Sequence, residues 1–387
     1  MKDSLLYFRL HTNLSFGPGS LNEIIPFLEE KGFNRVGVII DLHVEKGEYW
    51  QQLIKKLRKL YTINPYFIND MMEPTYDYLD SIRGKFDKKI DCLLGIGGGS
   101  TMDVAKAISV LVTNKKRAIA YRGFGLIKNS GIPLILIPST AGSGSEITPY
   151  AVFIDRKEKR KFGINSPLYL PVFSVIDPLL TLSCPSSVTI ASGMDALTHT
   201  LESFVAKKHS LLSKLFSEEA FPLIFNNLER VVKNPEDINL RTQVSLGAYL
   251  AGIALFNSAA GPAGVLSYPI GTLFRVTHGL AGSVFLYPVI KFNIENGYKG
   301  YETLYDLVDP SVQKKCIGKD KSQKFLHCFQ LLCANLDIPE KLNTFGVQKS
   351  DIDSIIDHLK FLWSAVEQNP IPMTEKNIRA MLHSMID

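Results

Sequence analysis

The stretch GIGGGSTMDVAKAISVL, Gly95–Leu111, joins the end of an apolar run to the start of a helical pattern through adjacent glycines. Gly97, Gly98 and Gly99 let the main chain turn sharply and let a ligand approach it closely. The free N–H groups and the dipole of the following helix favour an anion such as a pyrophosphate. A plainer reading makes Ser100 the N-cap and Asp103, three residues on, its capping-box partner. Both readings can hold together, and Asp103 is counted with the cofactor-binding residues.

Outward from this loop the first half of the chain alternates short apolar runs with helical patterns. RVGVIID (Arg35–Asp41), IDCLLGIG (Ile90–Gly97), IPLILIP (Ile132–Pro138) and VFSVID (Val172–Asp177) suit strands buried on both faces. Helical patterns between them predict βαβ units and a parallel sheet. After Pro178 strand-like runs thin out, and VTIASGMDALTHTLESFVAKK and LRTQVSLGAYLAGIALFNSA carry apolar residues at helical spacing. The expected architecture is an α/β Rossmann-like domain over residues 1–180, followed by an all-α domain over 181–387.

A second loop, IPSTAGSGSEIT (Ile137–Thr148), also leaves a predicted strand. Its Ser139, Thr140 and Ser143 offer hydroxyls suited to phosphate or ribose oxygens. Two such loops at the carboxyl ends of one sheet point to a nucleotide crevice. Asp41, at the end of its strand, can accept from a ribose 2′-hydroxyl and repel a 2′-phosphate, which favours NAD over NADP. On position alone, Asp41 serves equally as a turn or helix cap.

In GMDALTHTLESF (Gly193–Phe204), Asp195 and His199 stand at i, i+4 on one helix face. A carboxylate and an imidazole so placed can chelate a divalent cation, or bond to each other within the helix layer. His278, in RVTHGL, offers a third donor in a segment with little else polar.

These motifs together resemble the iron-containing (group III) alcohol dehydrogenase family, within the dehydroquinate-synthase-like superfamily. The resemblance spans nearly the whole chain, through FGPGSL, GGGSTMDVAK, PSTAGSGSEIT, GMDALTHTLES, THGLA and NPIPMTEKNI. It implies a cleft between the two domains that holds cofactor, metal and substrate. It also implies that Gly98, Gly99 and Ser100 face the pyrophosphate, with Thr140 and Lys161 near the dinucleotide. The implied metal, Fe or Zn, is usually held by one Asp and three His. Asp195, His199 and His278 match three of these. At the fourth position, in GVLSYP, stands Gly264, and Tyr268 replaces a second, non-ligand His. The expectation is a three-ligand site with an extra open position, reduced affinity, altered metal choice or no metal. Glycine at 264 is expected to open room for a bulky or polyhydroxylated substrate. His278 and Tyr268 are the candidate catalytic residues, Tyr268 as proton relay or as an aromatic filling the vacated space.

The implied reaction is hydride transfer between an alcohol or aldehyde and NAD. Oxidation of a sugar acid or phosphonate aldehyde, a redox-neutral lyase like dehydroquinate synthase, and nucleotide binding without catalysis are the alternatives. Composition fits a globular protein, with 45% hydrophobic and 21% charged residues over 387 positions. The net charge of +5 is mild, and its basic runs, KEKRK and KKCIGKDKSQK, read as solvated loops, so no nucleic-acid partner is expected. The beginning, MKDSLLYFRLHTN, lacks an apolar signal core, and no apolar run reaches membrane-spanning length. Five cysteines form no metal spacing, with Cys328 and Cys333 expected as core thiols, which predicts a reducing, cytoplasmic setting. A homodimer is the default expectation for such an enzyme.

Overall fold

The computed structural model describes residues 7–68, 73–86 and 89–386, so the first six residues of the N-terminal stretch lie outside it. Two compact units divide the chain. The first comprises Leu10–Pro185 and Glu236–Ser245. The second comprises Ser186–Pro235 and the described residues from Leu246 onward, with residues 7–9.

Among the described residues nine strands belong to the first unit: β1 (Asn13–Phe16), β2 (Arg35–Asp41), β3 (Thr62–Ile68), β4 (Cys92–Gly97), β5 (Gly123–Phe124), β6 (Leu134–Pro138), β7 (Val152–Asp155), β8 (Arg160–Asn165) and β9 (Phe173–Ile176). Six form a parallel sheet in the order β1-β9-β6-β4-β2-β3, and β5, β8 and β7 form a smaller one. Every predicted apolar run is a strand of the six-stranded sheet. Their residues alternate between two cores, as period-two geometry requires. Val36, Val38, Ile40, Cys92, Leu94, Ile96, Ile135 and Ile137 pack on one face. Ile39, Leu93, Leu134 and Leu136 pack on the other.

The chain steps from β2 out to β3, then returns to place β4 on the opposite side of β2. That reversal opens a crevice at the carboxyl ends of β2 and β4, the usual ligand position in such sheets. Asp41 and Gly97 are the residues at those two ends. Gly97 takes φ +152°, and a Cβ there would lie 2.8 Å from Thr101 Cβ and 3.0 Å from Asp41 Cβ. Only glycine meets both conditions at this turn.

Among the described residues no strand follows β9, and the second unit is helical. Phe221 and Phe225 stack at 4.9 Å between ring centroids, and Tyr301 stacks on Phe325 at 5.3 Å, within its core. Cys333 is a buried free thiol as expected, with its pKa pushed up to about 12 by burial. Cys328 departs from expectation, because it is disulfide-bonded to Cys316. The turn before helix Lys321–Asn335 brings the two Cα atoms to 5.3 Å. A disulfide belongs to oxidising settings, so the cysteines no longer argue for a reducing one. No described helix is long and apolar enough to cross a membrane.

Gly95 sets how closely the helix Gly99–Leu111 rests on β4. A Cβ there would lie 2.5 Å from Ala105 Cβ and 2.7 Å from Leu136 Cδ2. Gly95→Ala is therefore expected to lower unfolding free energy by about 1–3 kcal/mol, the usual range for overpacking. Urea denaturation checks this, and an unchanged midpoint would show that the helix can move off the strand.

Candidate dinucleotide and metal sites

In the first unit the two loops lie against each other. Ser139 N donates to Gly97 O at 2.9 Å. A Cβ on Gly98 would sit 3.7 Å from Thr140 Oγ1, and one on Gly99 only 2.8 Å from Ser143 Oγ. The helix is capped by Gly98, with no side-chain cap, and Ser100 is an exposed residue inside it. This corrects the capping-box reading: extended backbone at Gly98 already turns the chain, so no side chain is needed there. Asp41 Oδ1 accepts from His43 N at 2.8 Å, the cap that its position allowed.

Asp103 has an internal role. It accepts from Ser145 Oγ at 2.6 Å and from Val152 N at 2.9 Å, tying the first loop's helix to the second loop and to β7. Lys161, on β8, forms an ion pair with Glu73, which the pairing of Pro74 and Thr75 with Ile154 brings alongside.

Sequence reasoning passed over Lys106 and Glu146. Lys106 is fully buried, donates to Tyr150 O at 2.8 Å and lies 3.8 Å from Asp103 Oδ1. Burial pulls its pKa down to about 8, against the attraction of Asp103 and Glu146. Glu146 is also buried, and burial pushes its carboxyl up to about 7. The only sequence signal was Lys106 standing three residues after Asp103 on the helix.

Between its ordinary 4.5 and about 7, folded Glu146 keeps a proton that the unfolded chain releases. Its contribution to stability is greatest below about 4.5 and is lost as pH rises toward 7. Glu146→Gln removes that dependence. The melting temperature of the native chain, relative to the variant, is expected to fall between pH 5 and 7.5. Parallel calorimetric profiles would contradict it.

The second unit gathers the three predicted metal donors. Asp195 and His199 lie on the helix Ser186–Val205, and His278 opens the helix His278–Glu295. His199 Nε2 and His278 Nε2 each stand 3.8 Å from Asp195 Oδ1. One donor atom from each residue lies within 4.8 Å of the others, with Asp195 buried and both imidazoles partly so. Separations of 3.8 Å are too long for hydrogen bonds. They are near the edge length of a coordination polyhedron with ligand bonds of about 2.0–2.2 Å. A carboxylate and two imidazoles suit Fe or Zn, so the residues fit the implied ion.

Gly264 sits beside the Glu202 carboxylate. A Cβ there would meet Glu202 Oε2 at 2.8 Å. Glu202 is buried and accepts from Gly261 N at 2.7 Å, Ala263 N at 2.7 Å and Gly264 N at 3.1 Å, capping the helix Pro262–Phe274. Burial raises its pKa, while those three N–H groups and His199 pull it back. Glu202 was also missed, although it follows Asp195 by seven residues on the same helix face. Tyr268 packs its ring against His278, with centroids 5.3 Å apart.

A doubly wound sheet with a glycine loop at its reversal, followed by a helical unit carrying an Asp-His-His cluster, defines a dinucleotide-linked metalloenzyme architecture. Residues 11–178 match the family described as iron-containing alcohol dehydrogenase, and residues 189–386 match its Fe-containing C-terminal region. Long-chain-alcohol dehydrogenase 1 of Geobacillus thermodenitrificans is 30% identical over 380 residues, covering 94% of this chain and 93% of that protein. NAD-dependent methanol dehydrogenase of Bacillus methanolicus is 27% identical over 371 residues, covering 96% and 97%. An alcohol dehydrogenase structure from Oenococcus oeni superposes with a TM-score of 0.90 at 23% identity, covering 98% and 100%, which establishes the shared fold. The chain belongs to the iron-containing alcohol dehydrogenase family, and it is an NAD-dependent oxidoreductase acting on alcohols.

Proposed function

We propose that the protein interconverts an alcohol and its aldehyde or ketone, with a divalent cation held by Asp195, His199 and His278. The observation that carries this is the convergence of those three donors within 4.8 Å. In this proposal the chain divides near residue 180, the first part serving the dinucleotide and the second the metal and substrate. When bound, the cation supplies Lewis-acid polarisation of the substrate oxygen, and the nicotinamide supplies the hydride acceptor.

The protein's own groups bind and orient. The N–H groups at the start of helix Gly99–Leu111, with Ser100, Ser139, Thr140 and Ser143, suit a pyrophosphate and its ribose. Asp41 at the sheet's reversal favours a free 2′-hydroxyl, hence NAD over NADP. Tyr268, set against His278, is the proposed proton relay for the substrate hydroxyl. A bulky sugar-acid or phosphonate substrate rested on room at position 264. The Glu202 carboxylate lies beside a Cβ built at that position, so a simple alcohol is the first reading and the bulkier substrate the second. A homodimer and a cytoplasmic setting complete the proposal.

Metal analysis of purified protein, followed by NADH absorbance over a panel of alcohols with added zinc or iron, tests this reading. Bound metal and stoichiometric NADH are expected. Asp195→Ala should lose the metal and lower kcat/KM by about 100-fold or more, as loss of transition-state charge stabilisation typically does. Unchanged metal content and turnover in that variant would overturn the ligand assignment. Product formation without net NADH would indicate a redox-neutral lyase instead.

A further inference from the structure

We infer that Ser267 is a positioning residue that fixes His278 as the Nδ1–H tautomer and so keeps its Nε2 lone pair aimed at the cluster. The inference rests on the metal reading proposed above for its consequence, but its geometry stands apart. Ser267 is buried, one turn into the helix that Glu202 caps. Its Oγ lies 2.7 Å from His278 Nδ1 and 2.5 Å from the carbonyl oxygen of Gly264.

A serine hydroxyl has one proton to donate, and a peptide carbonyl can only accept. With the Ser267 proton on the Gly264 carbonyl, the hydroxyl oxygen accepts from His278, whose Nδ1 must then carry hydrogen. The reverse arrangement points the proton at Nδ1 and sets two oxygen lone pairs face to face at 2.5 Å. One order satisfies all three atoms of this relay: His278 Nδ1–H to Ser267 Oγ, then Ser267 O–H to Gly264 C=O.

The consequence appears on the other side of the ring. With Nδ1 protonated, the neutral imidazole has its lone pair on Nε2, the atom 3.8 Å from Asp195 Oδ1. At that length the Asp195 oxygen is too far to accept a hydrogen bond from Nε2. Ligating histidines generally use their second nitrogen in this way, and losing the partner costs 10–100-fold in affinity. His199 has no such support, because its Nδ1 is buried without a hydrogen-bond partner. Residue 264 thus contributes through its backbone, as the end of the chain that orients His278.

Two measurements test this. Nitrogen-15 NMR of histidine-labelled, metal-free protein, above the pH where the imidazole is neutral, reads the tautomer directly, with His278→Gln assigning the signal. A protonated Nδ1 and bare Nε2 are expected, and a protonated Nε2 overturns the inference with no variant needed. Zinc affinity by chelator competition should weaken about 10–100-fold in Ser267→Ala, by the magnitude typical of such partners. Wild-type affinity in that variant would overturn the positioning role. Failure of the unaltered protein to bind zinc would sink the metal reading, leaving the NMR result to decide the tautomer.

Discussion

The Glu202 carboxylate is buried and shared among three backbone N–H groups at the start of helix Pro262–Phe274, and the order of the metal cluster depends on it. Unpaired, those N–H groups would each cost about 1–3 kcal/mol out of water. Paired, they lock the helix that carries Ser267 and Tyr268 to the helix that carries Asp195 and His199. A Cβ at position 264 would lie 2.8 Å from Oε2, so any larger residue there would have to displace that oxygen. Position 264, which offers no side-chain donor, gives its N–H to Glu202. The cap sets the helix, the helix sets Ser267, and Ser267 meets His278 across a short turn.

The first unit uses a comparable buried tie. Asp103 joins the glycine-loop helix to Ser145 and β7, while Lys106 reaches the Tyr150 carbonyl behind it. The glycine loop and the Ser139–Ser143 loop are thereby held against one another through polar groups beneath them. Charged groups of this kind raise the cost of desolvation and return it as a fixed geometry. Loops that bind a diffusible dinucleotide need that fixity more than they need extra contacts.

Much of this was legible in the sequence for a physical reason. Strands buried on both faces must be almost wholly apolar, so Arg35–Asp41 was read with its observed limits. Edge strands have no such demand. β3 includes Pro65 and half-exposed residues because it pairs on one side alone, and it gave no signal. The i, i+4 spacing of Asp195 and His199 is a local property of one helix and could be read directly. Glu202, Ser267 and the Cys316–Cys328 bond were not legible, because their meaning lies in partners that only the tertiary fold supplies.

In the proposed centre Asp195, His199 and His278, with no side chain from position 264, hold the ion. A crystal structure grown with cobalt(II) and NAD, with anomalous data at the cobalt edge, tests it most directly. One anomalous peak is expected about 2.0–2.2 Å from an Asp195 oxygen, His199 Nε2 and His278 Nε2, with Glu202 still capping its helix. No peak there, or one coordinated by Glu202 after it has left the Gly261–Gly264 amides, would contradict it.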